Sequence, residues 1–217
     1  MAPQIKRALI VLDDFAREAA ERIAALRPRT LVLTGGETPR LVYEHLSTFD
    51  LSWPEMDVFF GDERCVPPER PDSNYRMAHA ALLSKVDARV HRMFGEACDP
   101  QQYEDELSAV FGPALPMFDL VLHGLGEDGH TASLFPNDPA LEVSDRRVLR
   151  VERPDQARLT LTLPVLSSAK AGIFLVSGES KRRALQQLLG GAGIPAARIR
   201  AERLLVLADR AAAGAFA

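Results

Sequence analysis

Apolar residues along this chain fall into short runs separated by amphipathic stretches, the alternation that strands and helices give in an α/β protein. A strand is predicted over 8–12, then a helix over 15–26, where Phe15, Ala19, Ile23 and Leu26 recur at helical spacing and Pro28 ends the element. Leu31-Val32-Leu33 and Val58-Phe59-Phe60 predict the second and third strands. Further strands are predicted over 89–94, 120–122, 147–151, 159–163, 173–176 and 204–207, the one at 159–163 reading Leu-Thr-Leu-Thr-Leu. Helices fill the spaces between: from Pro39 through Leu46, over 75–83 and 101–111, from Lys181 through Leu189, and an Ala-rich one over 208–217. His45 is placed on the buried face of its helix. Residues 190–193, Gly-Gly-Ala-Gly, predict a loop.

What punctuates the runs is more informative than the runs. Four predicted strands end at a glycine followed by polar residues: Gly35, Gly61, Gly124 and Gly178. In a parallel sheet those four turns share one edge, so residues far apart in sequence can converge there. The stretch 118–136, FDLVLHGLGEDGHTASLFP, is the richest of them. His130 stands among its glycines as a candidate acid/base group, and Asp128 stands two residues before it, able to orient an imidazole. The plainer reading is a capped turn with a solvated His. The turn Thr34-Gly35-Gly36-Glu37-Thr38-Pro39 offers backbone N–H groups and the Thr38 hydroxyl as an anion cradle, or a simple helix cap. Asp62-Glu63-Arg64 follows a fully apolar strand; Arg64 could grip a phosphate or carboxylate, or join a surface salt-bridge network. Arg158 at a strand entrance reads equally as ligand cation and surface Arg. Lys181 opens a helix, where the dipole disfavours a cation unless an anion binds beside it.

Composition narrows the class. The 217 residues, 47% hydrophobic and 26% charged, suit one α/β domain over 1–217 with a packed core, and no Ser/Gly-rich linker or charge block divides them. A formal net charge of -4 argues against general nucleic-acid binding. No apolar run approaches membrane-spanning length, and the opening residues lack a signal-peptide pattern, so a cytoplasmic protein with no membrane association is expected. Cys65 and Cys98 lie far apart and form no CxxC pair, which predicts reduced thiols with neither zinc site nor disulfide. His79 and His91 show no partner spacing, and His123, inside a strand, reads as a satisfied core residue. No HxH or HExxH pattern predicts a metal.

Taken together, TGGETP (34–39), GDERCVP (61–67), DSN (72–74), GLGEDGHTASLFP (124–136), RLT (158–160) and GESK (178–181) resemble the 6-phosphogluconolactonase family closely, in the family's order and over nearly the whole chain. The resemblance implies a Rossmann-like three-layer α/β sandwich, a mostly parallel central sheet with helices on both faces, of the kind shared with glucosamine-6-phosphate deaminases and ribose-5-phosphate isomerases. It implies hydrolysis of 6-phospho-D-glucono-1,5-lactone in the oxidative pentose phosphate pathway, without metal or organic cofactor. Carried over, His130 resembles the general base and Asp128 its assistant. Gly35, Gly36, Thr38, Asp62, Arg64, Arg158 and Lys181 resemble the substrate and phosphate contacts. The partner expected is the small sugar-phosphate lactone alone, with the protein a monomer or weak homodimer. Glu37 departs from the pattern, since many relatives carry an uncharged or basic residue there; its carboxylate is expected to point outward. Two rivals stay open. An aminosugar-phosphate deaminase/isomerase typically carries Glu where this chain has Phe135 and an aromatic residue at Arg64. A non-catalytic sugar-phosphate sensor could lose Asp128 and His130 and usually brings a regulatory segment.

Overall fold

The structure, a computed structural model, describes residues 7–191 and 193–216. Ala192 of the predicted glycine-rich loop and Ala217 of the predicted last helix lie outside the described residues. Strands β1 (Arg7–Leu12), β2 (Thr30–Leu33), β3 (Asp57–Phe60), β5 (Arg89–Val90), β6 (Phe118–Gly124), β9 (Ala169–Val176) and β10 (Arg203–Asp209) form a seven-stranded sheet in the order β1-β10-β9-β6-β2-β3-β5. Every pairing in it is parallel. Strands β4 (Asp62–Arg64), β7 (Val148–Val151) and β8 (Arg158–Leu161) make a separate antiparallel sheet, β4-β8-β7. The sequence predicts the strands near 148 and 158 but not their second sheet, nor that the charged residues after Gly61 are themselves a strand.

Helices α1 (Phe15–Ala25), α2 (Glu37–Leu46), α3 (Asn74–Ala81) and α4 (Pro100–Phe111) precede the short α5 (Leu163–Leu166); α6 (Arg182–Gly190), α7 (Pro195–Arg198) and α8 (Arg210–Ala213) complete the chain. Both faces of the large sheet are covered. Ala171 through Val176 of β9 are all buried although successive side chains point to opposite faces. Phe59 and Phe118 on neighbouring parts of the sheet meet Phe111 of α4, with ring centroids 5.1–5.5 Å apart. Each such fully buried side chain contributes roughly 1.5–3 kcal/mol.

Four expectations change here. His45 is exposed, because the buried stripe of α2 runs through Pro39, Val42, Tyr43 and Leu46 and leaves position 45 outside it. His91 does have partners: its ring nitrogens lie 2.9 Å from Asp57 and 3.2 Å from Glu106, which the fold supplies from β3 and α4. His123 is buried but not satisfied, since its Nε2 has no hydrogen-bond partner among the described residues; burial pushes its pKa down to about 3, so it stays neutral. Cys65 and Cys98 are joined in a disulfide, with Cα atoms 5.1 Å apart. Strands β3 and β5 are sheet neighbours, so the loops that follow each of them are brought together whatever their separation in sequence.

The chain leaves β2 toward β3 on one side, while its other neighbour, β6, leads away to β9 and β10. The loops after β2 and β6 therefore diverge and open a crevice, the place where open parallel sheets hold ligands.

Candidate active site

A cavity of about 590 Å³ fills that crevice. Its lining includes Gly35, Gly36 and Thr38 after β2, Asp62 and Arg64 of β4, Asp128 and His130 after β6, Arg158 of β8, and Lys181 before α6. Every candidate catalytic or substrate-binding residue from the sequence thus borders one space.

The His130 side is built by a tight local loop. Gly126 N–H donates to the carbonyl of His130 (2.8 Å), and Gly129 N–H donates to that of Gly126 (3.0 Å). A side chain at 126 would collide with the His130 imidazole and the Asp128 carboxylate, so only glycine permits their approach. His130 Nδ1 lies 2.6 Å from Asp128 Oδ1, which also accepts from the His130 backbone N–H at 3.0 Å. Burial pushes the Asp128 carboxyl up, but the His130 backbone and imidazole outweigh it and hold it below the usual carboxylate range. A carboxylate only accepts, so Nδ1 carries the bonding proton, and in the neutral imidazole the lone pair is then on Nε2.

The turn after β2 opens a helix whose first residues border the cavity. Gly36 caps α2 at φ 108°, a left-handed value glycine adopts freely, and no side chain occupies the first-turn N–H groups. Tyr43 braces the turn: Thr34 N–H donates to its hydroxyl, and that hydroxyl donates to the Thr34 carbonyl, both at 2.9 Å. Glu37 also borders the cavity; it is exposed and bonded to Arg40, whose guanidinium holds the carboxyl below its ordinary value. Arg40 also meets Glu44.

The Arg64 side rests on a buried polar network that sequence reasoning missed. Along β4 the side chains alternate: Asp62 and Arg64 border the cavity and Glu63 turns inward. Glu63 accepts from the N–H groups of Arg64 (2.8 Å), Asn74 (2.7 Å) and Tyr75 (2.7 Å) and from the Ser73 hydroxyl (3.0 Å). It therefore caps the start of α3, although burial raises its carboxyl pKa. Asn74 in turn donates to the Asp62 carbonyl at 2.9 Å and packs against Gly35, where a Cβ would displace it. A period-two reading of Asp-Glu-Arg would have found the inward Glu63.

Asp62 borders the cavity and also braces its wall. Its carboxylate is buried, accepting from Ser133 Oγ (2.7 Å) and Asn74 Nδ2 (3.2 Å), so it braces the wall and its oxygens are taken by the protein. Arg158 is held by Asp155 at 2.7 Å. Among the described residues the Arg64 guanidinium donates only to the Asp72 carbonyl (2.6 Å), and Glu179 is taken by Arg182 rather than Lys181. Among the described residues, Arg64 and Lys181 thus border the cavity without a carboxylate partner. Two unpaired cations, an open helix start and one imidazole suit a small anionic substrate and proton transfer beside it.

Residues 6–207 match the model of the family of glucosamine-6-phosphate isomerases and 6-phosphogluconolactonases. The chain belongs to that family. Among family members, the 6-phosphogluconolactonase of Synechocystis sp. is 44% identical over 194 residues, covering 85% of this chain and 80% of the relative. That of Nostoc sp. is 40% identical over 169 residues, covering 73% and 70%. The solved structure of 6-phosphogluconolactonase from Trypanosoma brucei superposes with a TM-score of 0.86 at 26% identity, over 98% of this chain and 100% of that one. The family's sheet and helices are therefore the frame on which this cavity sits.

Proposed function

We propose that this chain hydrolyses 6-phospho-D-glucono-1,5-lactone to 6-phospho-D-gluconate by general-base activation of water. The observation that carries the reading is one cavity shared by the His130–Asp128 pair, the unpaired Arg64 and Lys181, and the open start of α2. The names of the relatives support the same substrate.

In this mechanism the phosphate is held by Arg64, Lys181 and the N–H groups around Gly35, Gly36 and Thr38. Nε2 of His130 takes a proton from water as the water oxygen bonds to C1. The tetrahedral intermediate collapses, the C1–ring oxygen bond breaks, and the ring oxygen leaves as the C5 hydroxyl with a proton from His130 or solvent. Asp128 holds Nδ1 and stabilises the imidazolium. A base so placed supplies about 10²–10⁴-fold, and orientation through the phosphate adds to it. No step in this reading uses a metal or an organic cofactor. The step belongs to the oxidative pentose phosphate pathway, in the cytoplasm. Because one chain supplies every group, a monomer or weak homodimer suffices.

An aminosugar-phosphate deaminase/isomerase reading would want a Glu at position 135. The position is taken by the Phe135 ring, 4.6 Å from that of His130. The test is a hydrolysis assay with lactone generated in place, compared with spontaneous opening and with unphosphorylated gluconolactone. Acceleration confined to the phosphorylated lactone is expected, with His130→Ala lowering kcat about 10²–10⁴-fold at nearly constant KM. No acceleration over the spontaneous rate, or turnover of an aminosugar phosphate instead, sinks the reading.

A further inference from the structure

A hydrogen bond to Asp128 fixes one nitrogen of His130 but leaves the plane of the ring free to tilt. A second contact constrains that tilt. The Phe135 ring lies 4.6 Å from the imidazole, centroid to centroid, at an interplanar angle of 36°. On the same phenyl ring sits the guanidinium of Arg153, its Cζ 3.9 Å from the centroid. Neighbours in the plane of a phenyl ring are held farther out by its hydrogens, so both groups lie over the ring, and the Arg158 guanidinium approaches it as well, its Cζ 5.4 Å from the centroid. Asp128, His130, Phe135 and Arg153 are therefore joined by successive contacts.

These contacts are held at both ends. Phe135 is buried, and the turn before it is closed by reciprocal backbone bonds between Thr131 and Leu134 (3.4 and 3.0 Å), with Ala132 in a left-handed conformation at φ 48°. Arg153 has its nearest carboxylate, Asp138, at 3.9 Å, against 2.7 Å for Asp155 on Arg158. Arg153 is thus held by the ring more than by an ion pair, and its outer side is partly solvated.

We infer that Phe135, backed by Arg153, is a positioning residue for His130. Asp128 fixes Nδ1 and the phenyl face fixes the plane, so that Nε2 keeps one direction into the cavity. The inference rests on His130 being the base proposed above.

The test is steady-state kinetics on wild type, His130→Ala, Phe135→Ala, Phe135→Tyr and Arg153→Ala, each first shown to be folded by its melting curve. Loss of the aromatic face in Phe135→Ala should lower kcat about tenfold with KM within about twofold, because a misaimed base costs the chemical step and not binding. Phe135→Tyr keeps the face and should hold kcat within about twofold of wild type, while Arg153→Ala, which frees the ring, should lower kcat about threefold at constant KM. Wild-type kcat in a folded Phe135→Ala, or a fall in kcat/KM carried wholly by KM, overturns the role. If Phe135→Ala does not fold, Arg153→Ala decides in the same way. An active wild type with an inactive His130→Ala keeps the proposed function whatever the Phe135 result; a wild type that does not open the lactone removes both.

Discussion

The two walls of the cavity are built on opposite principles. The His130 wall is local: residues 124–135 hold the imidazole, its carboxylate and its phenyl support within one short loop, and glycine makes the close contacts possible. The Arg64 wall is assembled at long range. Glu63 gathers donors from the start of α3, Asn74 reaches back to Asp62, Ser133 crosses from the other wall to the Asp62 carboxylate, and the Cys65–Cys98 bridge ties down the residue after Arg64. A local wall fails through a single steric error. A long-range wall fails gradually, because each brace carries part of the geometry.

The sharpest way to break this contrast is Gly126→Ala. The added methyl drives into His130 and Asp128, and kcat should fall about 10²-fold with KM within about twofold. An unchanged kcat would show that the imidazole can shift at no cost, and the local wall would lose its claim to rigidity.

Glu63→Gln probes the other wall. It keeps the shape and removes the charge that caps α3 and orders Arg64 and Asn74. The preference for phosphorylated over unphosphorylated lactone should fall about tenfold, through KM, with His130 chemistry largely retained. Competition between the two lactones measures it. A loss of kcat equal on both substrates would mean that the two walls are one unit.

Much of the local wall was legible because its chemistry and its geometry occupy the same few residues. His130, Asp128 and the glycines can be read from one stretch, and the strand-ending glycines place Gly35, Gly61 and Gly178 beside it. The long-range wall was only half legible. Asp62, Glu63 and Arg64 stood out as charges after an apolar strand, yet their division of labour depends on β4 pairing with β8, a contact between residues 62–64 and 158–160 that no local pattern encodes. The disulfide and the two carboxylates on His91 escaped for the same reason: each joins segments that only the parallel sheet makes neighbours. His45 was misplaced by a simpler error, since a helical stripe read from apolar residues alone drifted by one position.

The smallest effect is expected from the disulfide. Opening it with a mild reductant removes a closure across a sequence separation of 33, worth about 3–4 kcal/mol by chain entropy. The melting temperature should drop clearly, whereas KM should rise only about two- to threefold, because Glu63 and the β4–β8 pairing still hold Arg64. A KM change as large as that of Glu63→Gln would make the bridge an equal partner in the wall.

Tyr43 gives the turn after β2 a different kind of independence. It sits on the very helix whose first turn faces the cavity, and its hydroxyl returns to both backbone groups of Thr34. Residues 34–43 therefore hold one brace entirely among themselves, so the shape of the turn and the position of the helix it opens cannot change separately.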